Sequence, residues 1–207
     1  MGYNLDLSSL SIQSYKELIK NQNLLPGRRI LWENIDYNFA LFDNYGISNV
    51  ANLKKALSTP QKIKSFAADS GLSENYLTIL KREIGSLEQK PVLIASFPDM
   101  DASLISRLND AGIKTSKDYF ESGPDESDEL FCLCDLVRIN GVGAVAAKVF
   151  YEAGYKSIMD IAHADAAVML ERVSNINKAK QYYKANLGIK DMQFCIDFAI
   201  FLIRFCS

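Results

Sequence analysis

The sequence predicts an all-α protein, and three observations carry that prediction. Apolar residues recur at helical rather than strand spacing over most of the 207 residues. Helix-start and helix-stop residues alternate at short intervals. One pattern, a helix closed by glycine and followed three residues later by a capping side chain, occurs three times.

Along the chain, residues 11–21 place Ile12, Tyr15, Leu18 and Ile19 on one helical stripe. Thr59 followed by Pro60 reads as an N-cap with proline at the first helical position, opening a helix through Phe66 and Ala67. Ser73 caps the next helix, whose apolar face holds Tyr76, Leu77, Leu80 and Ile84. Strand-like alternation is confined to residues 91–97, read as an extended linker. Residues 192–205 predict an amphipathic helix with Phe194, Ile196, Phe198, Phe201, Leu202 and Phe205. That is more apolar surface than a lone solvent-facing helix tolerates, so it closes the core, the preferred reading, or docks a partner.

The repeated segments are 42–53, 108–119 and 150–161. Their helices stop at Gly46, Gly112 and Gly154, and Asn49, Thr115 and Ser157 cap the helices that follow. A possible turn precedes each copy, at residues 34–36, 98–101 and 140–143, and the third alone keeps two glycines. Further helix-turn-helix signals lie around 70–73 and 174–177. The reading is therefore tandem hairpins: paired-hairpin units at about 28–88 and 134–188, joined by a single middle hairpin. As domains these are 1–90, 91–124 and 125–207, with the acidic loop 125–129 after Gly123-Pro124 marking a boundary.

Composition limits function. Apolar residues make up 48% and charged residues 23%, which excludes wholesale disorder. The net charge is −2 and the pI about 5.5, so any nucleic-acid binding must be local. Cys132, Cys134, Cys195 and Cys206 lack the spacing and partners of a zinc set and read as reduced, packed thiols. The amino terminus is polar and unlike a signal peptide. The apolar run 194–205 is too short for a membrane and contains Asp197 and Arg204, so the expected compartment is the cytoplasm.

The chemistry concentrates at residues 136–150. Gly141 and Gly143 flank Val142 in a tight turn between two helices, with Val142 as a plug into the core. Ala144, Ala146 and Ala147 leave the start of the next helix bare, so that its free N–H groups and dipole suit a phosphate. Residues 134–163 hold three bases, Arg138, Lys148 and Lys156, against three acids, Asp135, Glu152 and Asp160. Lys178, Lys180, Lys184 and Lys190 extend a basic side or simply solvate a helix. Lys54-Lys55, Lys62, Lys64 and Lys81-Arg82 form a second, scattered basic group. Asp101 reads as an N-cap rather than as half of a metal or acid–base pair with Asp99, and His163 as a C-terminal cap. Trp32 and the many Tyr and Phe residues read as core. No nucleophile, metal cluster or nucleotide loop is recognisable, so an enzyme is not expected.

The third segment, Leu136 to Ile161, resembles the helix-hairpin-helix motif of DNA repair proteins, particularly of the polymerase family that includes DNA polymerase beta. The chain as a whole looks like a bacterial family of unknown function built from tandem helix-hairpin-helix repeats. The resemblance implies sequence-independent grip on a DNA backbone phosphate by the amides of Gly141, Gly143, Val145 and Ala146, with Lys148 at a commonly basic position. It also implies a monovalent cation on the backbone carbonyls of Val137, Ile139 and Val142, with no other cofactor. Ala144 stands where proline is frequent, and Val149 where a second base often sits. The competing expectation is a scaffold for a protein partner, whose hairpins no longer bind DNA.

Overall fold

Side chains decide where most of the helices begin in the computed structural model, which describes residues 2–22 and 24–206. In chain order the α-helices are α1 (Ile12–Asn21), α2 (Ile35–Asn44), α3 (Val50–Ala56), α4 (Pro60–Ser70), α5 (Glu74–Ser86), α6 (Ala102–Asp110), α7 (Ser116–Glu121), α8 (Glu129–Leu136), α9 (Ala144–Glu152), α10 (Ile158–Ala162), α11 (Ala166–Lys180) and α12 (Ile189–Phe205). Short 3₁₀ turns occupy Pro26–Trp32 and Ile94–Ser96. Ser11, Asn49, Thr59, Ser73, Asp101, Thr115, Asp128, Ser157 and Asp165 each accept a first-turn backbone N–H of the helix they open. The described residues contain no strand beyond two isolated bridges, so the all-α class holds.

The three sequence copies have the same backbone geometry. Gly46, Gly112 and Gly154 are left-handed, and the next residue (Ile47, Ile113, Tyr155) donates its N–H five residues back, to Phe42, Leu108 and Phe150, at 2.8–2.9 Å. The upstream turns are alike in one respect that glycine content conceals. Each contains a left-handed residue, Asn34 at φ +48°, Asp99 at +60° and Gly141 at +83°. Asn and Asp are the side chains that best tolerate that conformation.

The copies differ in how the first amide of the second helix is satisfied. Val50 N donates to the Leu10 carbonyl and Ser116 N to the Val92 carbonyl, through the incoming segments that form the two bridges. In the third copy the acceptor of Ile158 N is instead a buried side chain, Asp135 Oδ2, at 2.8 Å.

The chain divides into two compact units, Asp6–Leu87 and Met1–Leu5 with Glu88–Ser207. The middle hairpin, residues 91–124, falls within the second of these units. In the Asp6–Leu87 unit, α1 packs on α2, α4 on α5, and α3 on both α4 and α5. Tyr15, Phe39, Phe42, Leu53 and Leu77 are fully enclosed there. Arg28 on the first 3₁₀ turn pairs with buried Glu83 of α5.

In the other unit α12 packs against α10 and α11. Its Met192, Ile196, Phe198, Ala199, Phe201 and Leu202 are buried, so this helix closes the core. The turn expected around residues 174–177 does not form, and α11 runs through it to Lys180. No residue there takes a left-handed angle, and Asn177 uses its amide to hold Tyr183 N and O at 3.0 Å. The break comes at Gln181, φ +52°.

The polar centre of this unit is Asp135 with Arg138, both on or just after α8. Arg138 Nη1 donates to Asp135 Oδ1 at 2.5 Å, and its Nε and Nη2 donate to the carbonyls of Tyr3 and Gly2 at 3.0 Å. The guanidinium lies 4.8 Å from the Phe120 ring. The hydroxyls of Tyr3 and Ser116 share a 2.6 Å hydrogen bond. Burial pushes the Asp135 carboxyl up, opposed by Arg138 and the Ile158 N–H. Asp135→Asn leaves Arg138 buried without its counter-charge and should cost about 3–5 kcal/mol in urea unfolding.

The capping carboxylates set the acid limit. Asp101 is held below the usual carboxylate range by Ser103 and by first-turn N–H donors. Asp118 is held there by the Lys114 N–H, the Thr115 hydroxyl and the Thr115 N–H. Their folded pKa is depressed, so their contribution is fully present above the unfolded value near 4 and is lost as pH falls below it. Thermal melts should therefore be flat between pH 5 and 7 on this account and drop below about pH 4, with a shallower acid drop in Asp118→Asn.

Candidate functional site

The α8–α9 hairpin is built by backbone hydrogen bonds and one plug. Ile139 N donates to the Leu136 carbonyl and Val142 N to the Ile139 carbonyl, at 3.1 and 3.0 Å. Val142 is buried, as the sequence predicts. Gly141 needs its glycine, because its φ is +83°, whereas Gly143 is extended at φ −92° and ψ −179°. A Cβ on either would meet open space.

Ala147 is the first α9 residue whose N–H reaches back to Gly143 O, at 2.9 Å. The amides of Ala144, Val145 and Ala146 precede any intrahelical acceptor. No side chain caps this end, and α9 has no acid in its first turn. The other two turns differ. Asp101 caps α6 with its carboxylate, and α2 carries Asp36 in its first turn, paired with Lys16 and Lys20. Gly141, Gly143 and Val145 are exposed and Ala146 is half-buried, so the residues whose amides the sequence points to lie on an accessible stretch of the hairpin.

The bases do not join them. Lys148 is 8% exposed, with Nζ 2.6 Å from Glu129 Oε1 and 3.7 Å from Glu152 Oε1. Burial opposes its charge, but Glu129 and Glu152 hold its pKa above the ordinary lysine value. Arg138 is 2% exposed and points inward to Asp135. Lys156 sits 5.7 Å from the Tyr151 ring. Lys180 is also engaged, 2.8 Å from Glu152. Glu88–Ser207 holds 13 lysines and arginines against 17 aspartates and glutamates, so the hairpin belongs to an acidic unit. One neighbour escaped the sequence: Gln89 Nε2 donates to Asn140 Oδ1 at 2.8 Å, a pairing across 51 residues that no local signal announces.

The carbonyls of Val137, Ile139 and Val142 lie in this turn, and that of Ile139 already accepts Val142 N. Three neutral carbonyls suit a monovalent cation rather than a divalent ion, which calls for carboxylates. No group of three or more His, Cys, Asp or Glu side chains gathers among the described residues. The four cysteines are buried, and burial pushes the Cys195 thiol up to about 12, far from a reactive thiolate.

His163 stands at the end of α10 with Nδ1 2.8 Å from the Met159 carbonyl, as a cap does. It borders a depression of about 430 Å³ with Tyr155, Asp160 and Arg172. The Asp160 carboxylate is spent on the Lys156 and Ser157 amides, and Arg172 stacks 5.7 Å from the Tyr155 ring. The aromatic residues divide: Tyr15, Phe39 and Phe42 are core, whereas Trp32, Tyr37 and Tyr45 are exposed, contrary to the core reading. Trp32 keeps its Nε1 bonded to the Ile19 carbonyl at 2.8 Å.

Among the described residues, fold and site together give an all-helical chain with three similar helix–glycine–helix segments and, at α9, a helix start with neither a side-chain cap nor a first-turn acid. Within it, residues 98–193 match the family model described as a domain of unknown function (DUF4332). That stretch takes in the second and third copies and the start of α12. No curated protein and no solved structure matches the chain. No helix is long and apolar enough to cross a membrane among the described residues.

Thermal melts separate the two glycines. Gly141→Ala forces a side chain into the left-handed region and should cost about 1–2 kcal/mol, whereas Gly143→Ala should stay within about 1 kcal/mol of wild type. Lys148→Gln removes the charge between Glu129 and Glu152, but Lys180 and Tyr182 still hold Glu152 and Glu129 is half-exposed, so it should lower stability by about 1 kcal/mol or less.

Proposed function

We propose that the protein is a non-enzymatic module that holds the DNA backbone weakly, without reading sequence, through the α8–α9 hairpin. The three helix–glycine–helix copies are then helix-hairpin-helix repeats of a bacterial, cytoplasmic protein, of which the third keeps the phosphate contact. One observation supports this most: among the three turns, the third opens a helix with no carboxylate in or before its first turn. A phosphate oxygen there takes the amides of Gly143, Val145 and Ala146 and the positive end of α9, with Gly141 shaping the approach. A monovalent cation on the carbonyls of Val137, Ile139 and Val142 adds local positive charge. Lys148 orders α9 through Glu129 and Glu152 rather than reaching the phosphate itself.

A second reading, a scaffold for a protein partner, is favoured by the same ion pairs. With Lys148 and Arg138 committed internally, little charge is left to neutralise phosphate, and charge dominates affinity for DNA backbone.

Fluorescence anisotropy with a labelled duplex at low salt decides between them. Gly143→Asp places a capping carboxylate on the bare amides, so it should abolish binding at this site while leaving the melting temperature unchanged or raised. No wild-type binding at tens of micromolar protein, or undiminished binding by the variant, removes the hairpin reading.

A further inference from the structure

We propose that the Asp6–Leu87 unit carries a separate DNA-backbone-binding surface, formed by the lysines and arginine of α3, α4 and α5 around the α3–α4 turn. In sequence these bases are scattered: Lys54 and Lys55 end α3, Lys62 and Lys64 begin α4, and Lys81 and Arg82 lie late in α5. Folding brings Lys62 and Lys81 together at the α3–α4 turn, because α3 packs on both α4 and α5 and these pack on each other, with Lys55, Lys64 and Arg82 exposed on the same three helices. Lys62 Nζ donates to the Lys55 carbonyl at 3.2 Å, and Lys81 Nζ donates to the Ser58 carbonyl at 2.7 Å. Two ammonium groups from different helices therefore meet on carbonyls three residues apart. Each has further N–H donors to offer a phosphate.

For Lys55, Lys62, Lys64, Lys81 and Arg82 the counter-charges are elsewhere. Residues 46–87 contain six bases and three acids. Glu83 is buried and paired with Arg28. Asp69 and Glu74 flank the short Gly71 turn, at the far end of α4 from Lys62. Among the described residues, none of Lys55, Lys62, Lys64, Lys81 and Arg82 has a carboxylate within salt-bridge distance.

The chemistry of the patch selects its partner. Residues 46–87 present no exposed large hydrophobic side chain among those described. A membrane-surface or protein-docking face relies on apolar anchors, whereas a phosphodiester backbone needs repeated point charges. This surface shares its ligand class with the hairpin reading but uses none of the hairpin's residues.

The test is duplex-DNA anisotropy on the full chain at about 50 mM salt, with wild type, Lys62→Glu/Lys64→Glu/Lys81→Glu and Gly143→Asp compared. The triple variant should bind at least about tenfold more weakly, with a salt slope shallower by about two to three contacts. Lys64→Gln/Arg82→Gln disturbs no packing and should weaken binding about threefold, which covers failure of the triple variant to fold. Loss in the triple variant with Gly143→Asp unaffected establishes this surface and removes the hairpin as the DNA site. Loss only in Gly143→Asp, or wild-type affinity in both lysine variants, overturns the inference. So does a wild-type chain that binds no DNA, whether or not it sediments with phosphatidylglycerol vesicles.

Discussion

The Asp135–Arg138 pair is the constraint on which the α8–α9 hairpin and the third repeat depend. In the first two copies, an incoming backbone segment supplies the carbonyl for the first amide of the second helix. The third copy takes Asp135 Oδ2 instead, from the helix that precedes its own hairpin. A buried carboxylate in that role needs a cation, and Arg138, three residues on, supplies it while also fixing the carbonyls of Gly2 and Tyr3. One pair therefore ties together α8, the start of α10 and the first described residues.

That arrangement has a consequence for chemistry. A hairpin that uses its arginine inward, and whose lysine is clasped by Glu129 and Glu152, keeps its backbone amides and little else for an anion. The turn leaves its first α9 amides without a side-chain cap, and its nearby charges are spent on internal ion pairs. Basic residues with few acids nearby in sequence lie instead on α3, α4 and α5.

Much of the fold was legible because capping and glycine chemistry are local. Thr59 with Pro60, Ser73, Asp101, Thr115 and Ser157 all act where sequence places them. The left-handed turns at Asn34 and Asp99 are less legible, because these residues meet by other means the φ requirement that glycine makes visible in a sequence. The supposed turn at 174–177 failed for the opposite reason: Asn177, which looks like a turn residue, spends its amide on Tyr183 while the helix continues. At the candidate site the accessible amide stretch was legible from Gly141, Gly143 and the alanines. The fate of Lys148 was not, because Glu129 is 19 residues away and no periodicity announces the contact.

Hydrogen exchange of individual amides in the native protein, followed by NMR, bears most directly on the central claim. Ile158 N–H should fall in the slow class with Val50 and Ser116, because Asp135 holds it inside the core. Val145 and Ala146, first-turn amides without an acceptor, should exchange orders of magnitude faster. If Ile158 exchanges as fast as Val145 and Ala146, Asp135 does not serve as its acceptor, and the account of the third repeat is wrong.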